Sequence, residues 1–225
     1  MMQGLEITAE VVKVAQQLSA LGLNVNKSGN VSCRFKREEG EGFFITPTGV
    51  AYELLEPIDI PWMPLKARLC VEDALGQYRP SSEWQMHAAV YQKRADVVAI
   101  VHTHSPYATA LACQNLSIPS FHYMVASAGG SSIDVVPYQT FGSEALANAT
   151  ADGLEKKDAC LLEHHGVMAV GGSLSRALSL AQEVENLAHQ YVIVRSLGEP
   201  RLIEEEEMRR VIAKFTTYGQ PQRRQ

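Results

Sequence analysis

The apolar run Val97-Val98-Ala99-Ile100-Val101 ends in His102-Thr103-His104. Read as a strand, it sends successive side chains to opposite faces, so both imidazoles fall on the same face. A strand is a rigid mount, and imidazole is a good ligand for zinc and related metals. The pair alone does not separate a metal site from two packed histidines. Its company in the rest of the chain does more.

Helical and strand patterns alternate along the sequence, with no repeat and no low-complexity linker. Residues 8–21 predict an amphipathic helix with Thr8 as N-cap, Val11, Val12, Ala15, Leu18 and Leu21 on one side, and Gly22 as its end. Short strands follow at 31–35 and 43–46. The proline-rich stretch 57–64 is excluded from a central strand and reads as a loop or sheet edge. A helix is expected from Ser82, with Gln85 completing a capping box, to about Lys93. Then come the strand ending at His102, a helix over 105–113, a strand near 133–136 and a helix over 143–154. Two strands, 159–163 and 167–170, flank His164-His165-Gly166. Helices over 173–196 and 204–214 close the chain, the second opening on acidic residues that suit the helix dipole. No shift of composition marks a boundary, so residues 1–225 are expected to form one domain.

The formal net charge of -5 argues against a nucleic-acid binder, which would carry a basic excess. No run of apolar residues is long enough to span a membrane. The first residues lack the basic and apolar regions of a signal peptide. The four cysteines, Cys33, Cys70, Cys113 and Cys160, are widely spaced, and buried free thiols are expected rather than disulfides. A cytoplasmic location fits these features.

Four elements point to one site. His102 and His104 are the first. His164-His165-Gly166, interrupting two apolar segments, can present a third imidazole; the neighbours point apart if extended, so one of the two is the ligand. Ser81-Ser82-Glu83 precedes a helix. Ser28-Gly29-Asn30 and Thr46-Pro47-Thr48-Gly49 are small-residue turns. Three imidazoles and a carboxylate make a tetrahedral zinc site. A carboxylate leaves zinc more readily than a thiolate, and once free it is a base. Hydroxyls, a glycine turn and backbone N–H groups at a helix start make an anion site without any lysine, and phosphate is the anion expected. His87 and His189 read as structural histidines, and residues 204–207 as a solvated helix start.

Gly29-Asn30-Val31-Ser32, residues 45–49, Ser81-Ser82-Glu83-Trp84, Val101-His102-Thr103-His104 and His164-His165-Gly166 together closely resemble the class II aldolase/adducin family. The resemblance extends through residues 121–124, 128–130, 137–142 and 214–219. It implies a three-layer α/β/α fold around a mixed, mostly antiparallel sheet, and a C4 homotetramer with active sites between subunits. It implies one zinc ion per subunit on His102, His104, His165 and Glu83, with Glu83 also the acid/base. Gly29, Asn30, Thr48, Gly49, Ser81 and Ser82 would hold the substrate phosphate. Tyr123 of a neighbouring subunit would donate a proton to the aldehyde oxygen, while Phe141, Phe215 and Tyr218 would line the aldehyde pocket.

The activity so implied is reversible cleavage of a ketose 1-phosphate, L-fuculose 1-phosphate foremost, to dihydroxyacetone phosphate and L-lactaldehyde, with zinc as Lewis acid behind an enediolate. The alternatives within the resemblance are a 5-deoxyribulose-1-phosphate aldolase, an epimerase or decarboxylase of phosphorylated sugars, and an adducin-like interaction domain. Glu83 counts against the epimerase, which typically carries Asp there. The three histidines count against the interaction domain, which lacks them. Residues 62–78 and the arginines of the tail 220–225 depart from the family pattern.

Overall fold

The structure, a computed structural model, describes residues 2–215. Helix α1 (Met2–Ala20) buries Val11, Val12, Val14, Ala15 and Leu18 along one stripe. It begins before the expected start. Thr8 is an interior residue whose hydroxyl donates to the Leu5 carbonyl at 3.2 Å. Leu5 and Glu6 ahead of it are good helix formers, so the helix continues through the candidate cap.

Strands β1 (Asn30–Arg34) and β2 (Gly42–Ile45) pair antiparallel, with Ser32 opposite Ile45. Strand β3 (Trp62–Pro64) pairs with β2 at the sheet edge, where proline is tolerated. The departing segment after β3 turns back on it: Trp62 and Leu75 exchange two backbone hydrogen bonds of 2.8 Å. Next come α2 (Trp84–Lys93), β4 (Ala99–Thr103), α3 (Pro106–Cys113), β5 (Val135–Val136), α4 (Glu144–Gly153), β6 (Ala159–Leu162), β7 (Gly166–Gly171), α5 (Leu174–Leu197) and α6 (Glu205–Phe215). Ser143 and Ser173 cap α4 and α5 by accepting from Leu146 N and Arg176 N.

One seven-stranded sheet runs in the order β3-β2-β1-β4-β7-β6-β5. Every pair is antiparallel except β5–β6. The sheet is therefore mixed and mostly antiparallel, with helices on both faces. Alternation along the strands divides the core in two. Val31, Cys33, Ala99, Val101, Val167 and Ala169 face the side of α1, α3 and α5. Phe43, Ile45, Ile100, Met168 and Val170 face the side of α2 and α4. By the same parity His102 and Asn30 belong to the α2 side.

All four cysteines are free, as expected, but only Cys33 and Cys160 are buried; Cys70 and Cys113 are exposed. Cys70 sits beside the short turn Val71–Asp73 and Cys113 ends α3, so neither reaches either core. His189 stacks on Tyr107 with ring centroids 3.9 Å apart, a structural contact. Among the described residues no helix is long and apolar enough to cross a membrane.

Candidate active site

Antiparallel pairing brings the start of β1, the end of β4 and the start of β7 to one edge of the sheet. Asn30 lies opposite His102, and His102 opposite Met168. His104 follows β4, and His165 immediately precedes β7. The β6–β7 turn is tight, with His165 N donating to the Leu162 carbonyl at 3.0 Å and His164 in the left-handed region at φ 55°. Such a residue is usual in a three-residue hairpin loop. The loop aims His165 at His102 and His104, and leaves His164 edge-on to Tyr138. One of the two neighbours joins the cluster, as expected, but through a turn rather than an extended segment.

Glu83 closes the cluster from the start of α2. The expected capping box of Ser82 and Gln85 is absent: Glu83 is the N-cap, and its side chain makes no capping bond. The carboxylate turns instead to the histidines, with Oε2 3.1 Å from His102 Nε2 and Oε1 2.9 Å from His165 Nε2. His102 Nε2 and His104 Nε2 are 3.0 Å apart. The three rings stand nearly perpendicular to one another, at 74° to 80°.

These residues fit a metal ion. Imidazole nitrogens and a carboxylate oxygen are zinc donors, and donors about 2 Å from a tetrahedral ion stand roughly 3.3 Å apart. One donor atom from each of the four residues lies within 4.8 Å of all the others. His102 Nδ1 donates to the Val167 carbonyl at 2.8 Å, so Nε2 is the ring nitrogen turned toward the cluster. Burial alone would raise the Glu83 carboxyl, but the charge and hydrogen bonds of His102 and His165 outweigh it and hold it below the usual carboxylate range. His104 is pushed down to about 3 by burial and then by the charges of His102 and His165, so it stays neutral.

A cleft of about 350 Å³ opens from this cluster. All six expected phosphate residues line it: Gly29, Asn30, Thr48, Gly49, Ser81 and Ser82. Two backbone bonds zip the turns together, Ser81 N to the Thr46 carbonyl at 3.0 Å and Thr48 N to the Arg79 carbonyl at 3.1 Å. Gly29 takes φ 77° and leaves no space for a Cβ, which would overlap Asn24 and the His102 carbonyl. Lys27 also lines the cleft, with Nζ donating to the Gly49 carbonyl at 2.7 Å. The anion site expected from the sequence has no lysine. The only signal for Lys27 is its position just before the Ser28-Gly29-Asn30 turn.

Phe141 lines the cleft and is 69% exposed. Tyr123 does not line it; it is 50% exposed, on the 3-10 turn Tyr123–Ala128. Phe215, at the end of α6, packs partly buried against the core and is not brought to the cleft. Tyr218 lies outside the described residues.

Gly166 sets the approach of β7 to β4. A Cβ there would overlap the Thr103 carbonyl and press on the His104 ring. Gly166→Ala is therefore expected to cost about 1–3 kcal/mol, as other overpacked sites do, and to lower metal content at fixed free zinc. Urea midpoints and metal analysis check both. An unchanged midpoint would mean that β7 shifts without cost.

The sequence pattern described as Class II Aldolase and Adducin N-terminal domain matches residues 9–192, and the chain belongs to this family. It is a class II aldolase, an aldehyde-lyase. It is 43% identical over 213 residues to the 5-methylthioribulose-1-phosphate/5-deoxyribulose-1-phosphate aldolase of Rhodospirillum rubrum, covering 93% of this chain and 90% of that one. It is 39% identical over 219 residues to the L-fuculose phosphate aldolase of Escherichia coli, covering 95% and 96%. A solved structure of L-fuculose 1-phosphate aldolase superposes with a TM-score of 0.86 at 34% identity, covering 94% and 96%.

Proposed function

We propose that the protein cleaves a ketose 1-phosphate, L-fuculose 1-phosphate foremost, to dihydroxyacetone phosphate and L-lactaldehyde, as a zinc enzyme. The observation that carries this reading is the position of Glu83. Its carboxylate belongs at once to the histidine cluster and to the wall of the cleft lined by Thr48, Gly49, Ser81 and Ser82.

His102, His104, His165 and Glu83 would hold the ion, which supplies Lewis-acid stabilisation of charge developing on the ketone oxygen. In the condensing direction Glu83 takes the proton from the hydroxymethyl carbon of dihydroxyacetone phosphate. That carbon then bonds to the aldehyde carbon. Tyr123 of the partner subunit donates a proton to the aldehyde oxygen. The turns of Gly29, Asn30, Thr48, Gly49, Ser81 and Ser82 hold the phosphate, with Lys27 as the cation at its side. Phe141 at the cleft borders the aldehyde.

This assignment of Tyr123 requires self-association, and we take the assembly to be a C4 homotetramer of one-domain subunits in the cytoplasm. Its support is the exposure of Tyr123 away from its own cleft, with Tyr138 and Phe141 also exposed. A second reading, cleavage of 5-deoxyribulose 1-phosphate with acetaldehyde as product, is favoured by the 43% identity to the Rhodospirillum rubrum aldolase.

The test is product analysis with purified protein, dihydroxyacetone phosphate and a panel of aldehydes. Lactaldehyde is expected to react best. Acetaldehyde or glycolaldehyde reacting equally well sinks the fuculose assignment and leaves the aldolase class intact.

A further inference from the structure

Behind Glu83 a line of buried side chains runs away from the cleft. Asn30 Nδ2 donates to Glu83 Oε2 at 3.0 Å. Asn30 Oδ1 is 2.5 Å from His87 Nε2, and His87 Nδ1 is 2.6 Å from Ser32 Oγ. Ser32 Oγ is in turn 2.8 Å from the Tyr91 hydroxyl. Asn30, Ser32, His87 and Tyr91 are all buried. Strand alternation puts Asn30 and Ser32 on the α2 side of β1, and helical spacing puts Glu83, His87 and Tyr91 along one side of α2.

Chemistry fixes the direction of each bond. A carboxylate only accepts, so Asn30 presents its amide nitrogen to Glu83 and its carbonyl to His87. His87 Nε2 is then the donor and Nδ1 the acceptor. The Ser32 hydroxyl donates to Nδ1 and accepts from Tyr91. Burial pushes His87 down to about 3, helped by the charge of His102, so the ring stays neutral as this pattern requires. An apolar side chain at position 87 would leave Asn30 Oδ1 without its partner in a buried place, a costly arrangement.

We propose that His87 is a positioning residue: it locks the Asn30 carboxamide in the one orientation that donates to Glu83, and thereby sets how firmly the carboxylate is held in the metal-ligating cluster. Without the lock the carboxamide can rotate and set its oxygen against the carboxylate. This inference rests on the metal-site reading above.

Two isosteres separate the nitrogens of the ring. His87→Gln keeps a donor near Nε2, whereas His87→Asn keeps only a group near Nδ1. Metal-free protein is titrated with Co2+ against a competing chelator, and the visible cobalt band is recorded. Wild type and H87Q are expected to agree within about threefold. H87N is expected to bind Co2+ roughly tenfold to a hundredfold more weakly, the range for lost partners of metal ligands, with a changed band. Its kcat should fall while KM changes little. Folded H87N with wild-type affinity and band overturns the proposal, as does H87Q as weak as H87N. Should H87N fail to fold, Ser32→Ala carries the test: weaker Co2+ binding supports the lock, and unchanged binding overturns it. Wild-type protein that binds no Co2+ overturns the metal site itself, and with it this proposal, before any variant is compared.

Discussion

Glu83→Gln is expected to cut turnover roughly a hundredfold to ten-thousandfold, the range for losing a positioned general base. Glutamine has the same shape, so it can occupy the space between Asn30, His102 and His165. It cannot take a proton at neutral pH, and its amide nitrogen is no ligand for a cation. Two effects are therefore expected, weaker metal binding and lost proton transfer. Assay at saturating metal, with bound metal measured on the same sample, isolates the second. The loss should fall on kcat, because the turns proposed to hold the substrate phosphate are untouched. Glu83→Ala should show the same kinetic loss with poorer packing. A metal-loaded E83Q that turns over at the wild-type rate removes Glu83 from proton transfer.

Metal removal has the other large expected effect. Activity should vanish after exhaustive chelation and return on adding zinc. Stability should fall as well, because an ion bound only by the folded chain adds to its stability. At a free concentration a thousandfold above Kd the gain is about 4 kcal/mol. For a chain of this size that corresponds to a melting shift of roughly 10 °C. The apo-protein should still fold, since the two cores on either side of the sheet do not depend on the cluster. Calorimetry before and after chelation, with metal content measured, checks both effects. Full activity in metal-free protein rules out the metal-dependent reading.

The strands and helices that carry the site were legible because their signals are local and periodic. The apolar run ending at His102, the helical stretches that open at Ser143 and Ser173, and the apolar stripe of α1 each reveal their element without knowledge of the rest. Misreadings arose where distant residues outcompete local preference. Ser82 and Gln85 have the spacing of a capping box, but Glu83 is drawn toward His102 and His165, and the first turn of α2 follows the carboxylate. Lys27 is not legible in the sequence because its place in the cleft depends on the zipped turns and the curl at Gly29, neither visible in neighbouring residues. Cys70 and Cys113 show the limit of composition: thiols are often buried, yet a turn and a helix end left these two outside. Residue likeness singled out the six cleft-lining positions as a group, while only tertiary pairing brings them together.

The antiparallel register that sets Asn30 against His102 and His102 against Met168 also has a kinetic consequence. The residues proposed to hold the ion come from three separate stretches of chain, and no stretch supplies more than two of the four donors. All four donors meet only after β4 and β7 have paired and the start of α2 has brought Glu83 to them. Loading therefore contributes little to the speed of folding and acts chiefly on the reverse rate, lengthening the lifetime of the assembled sheet.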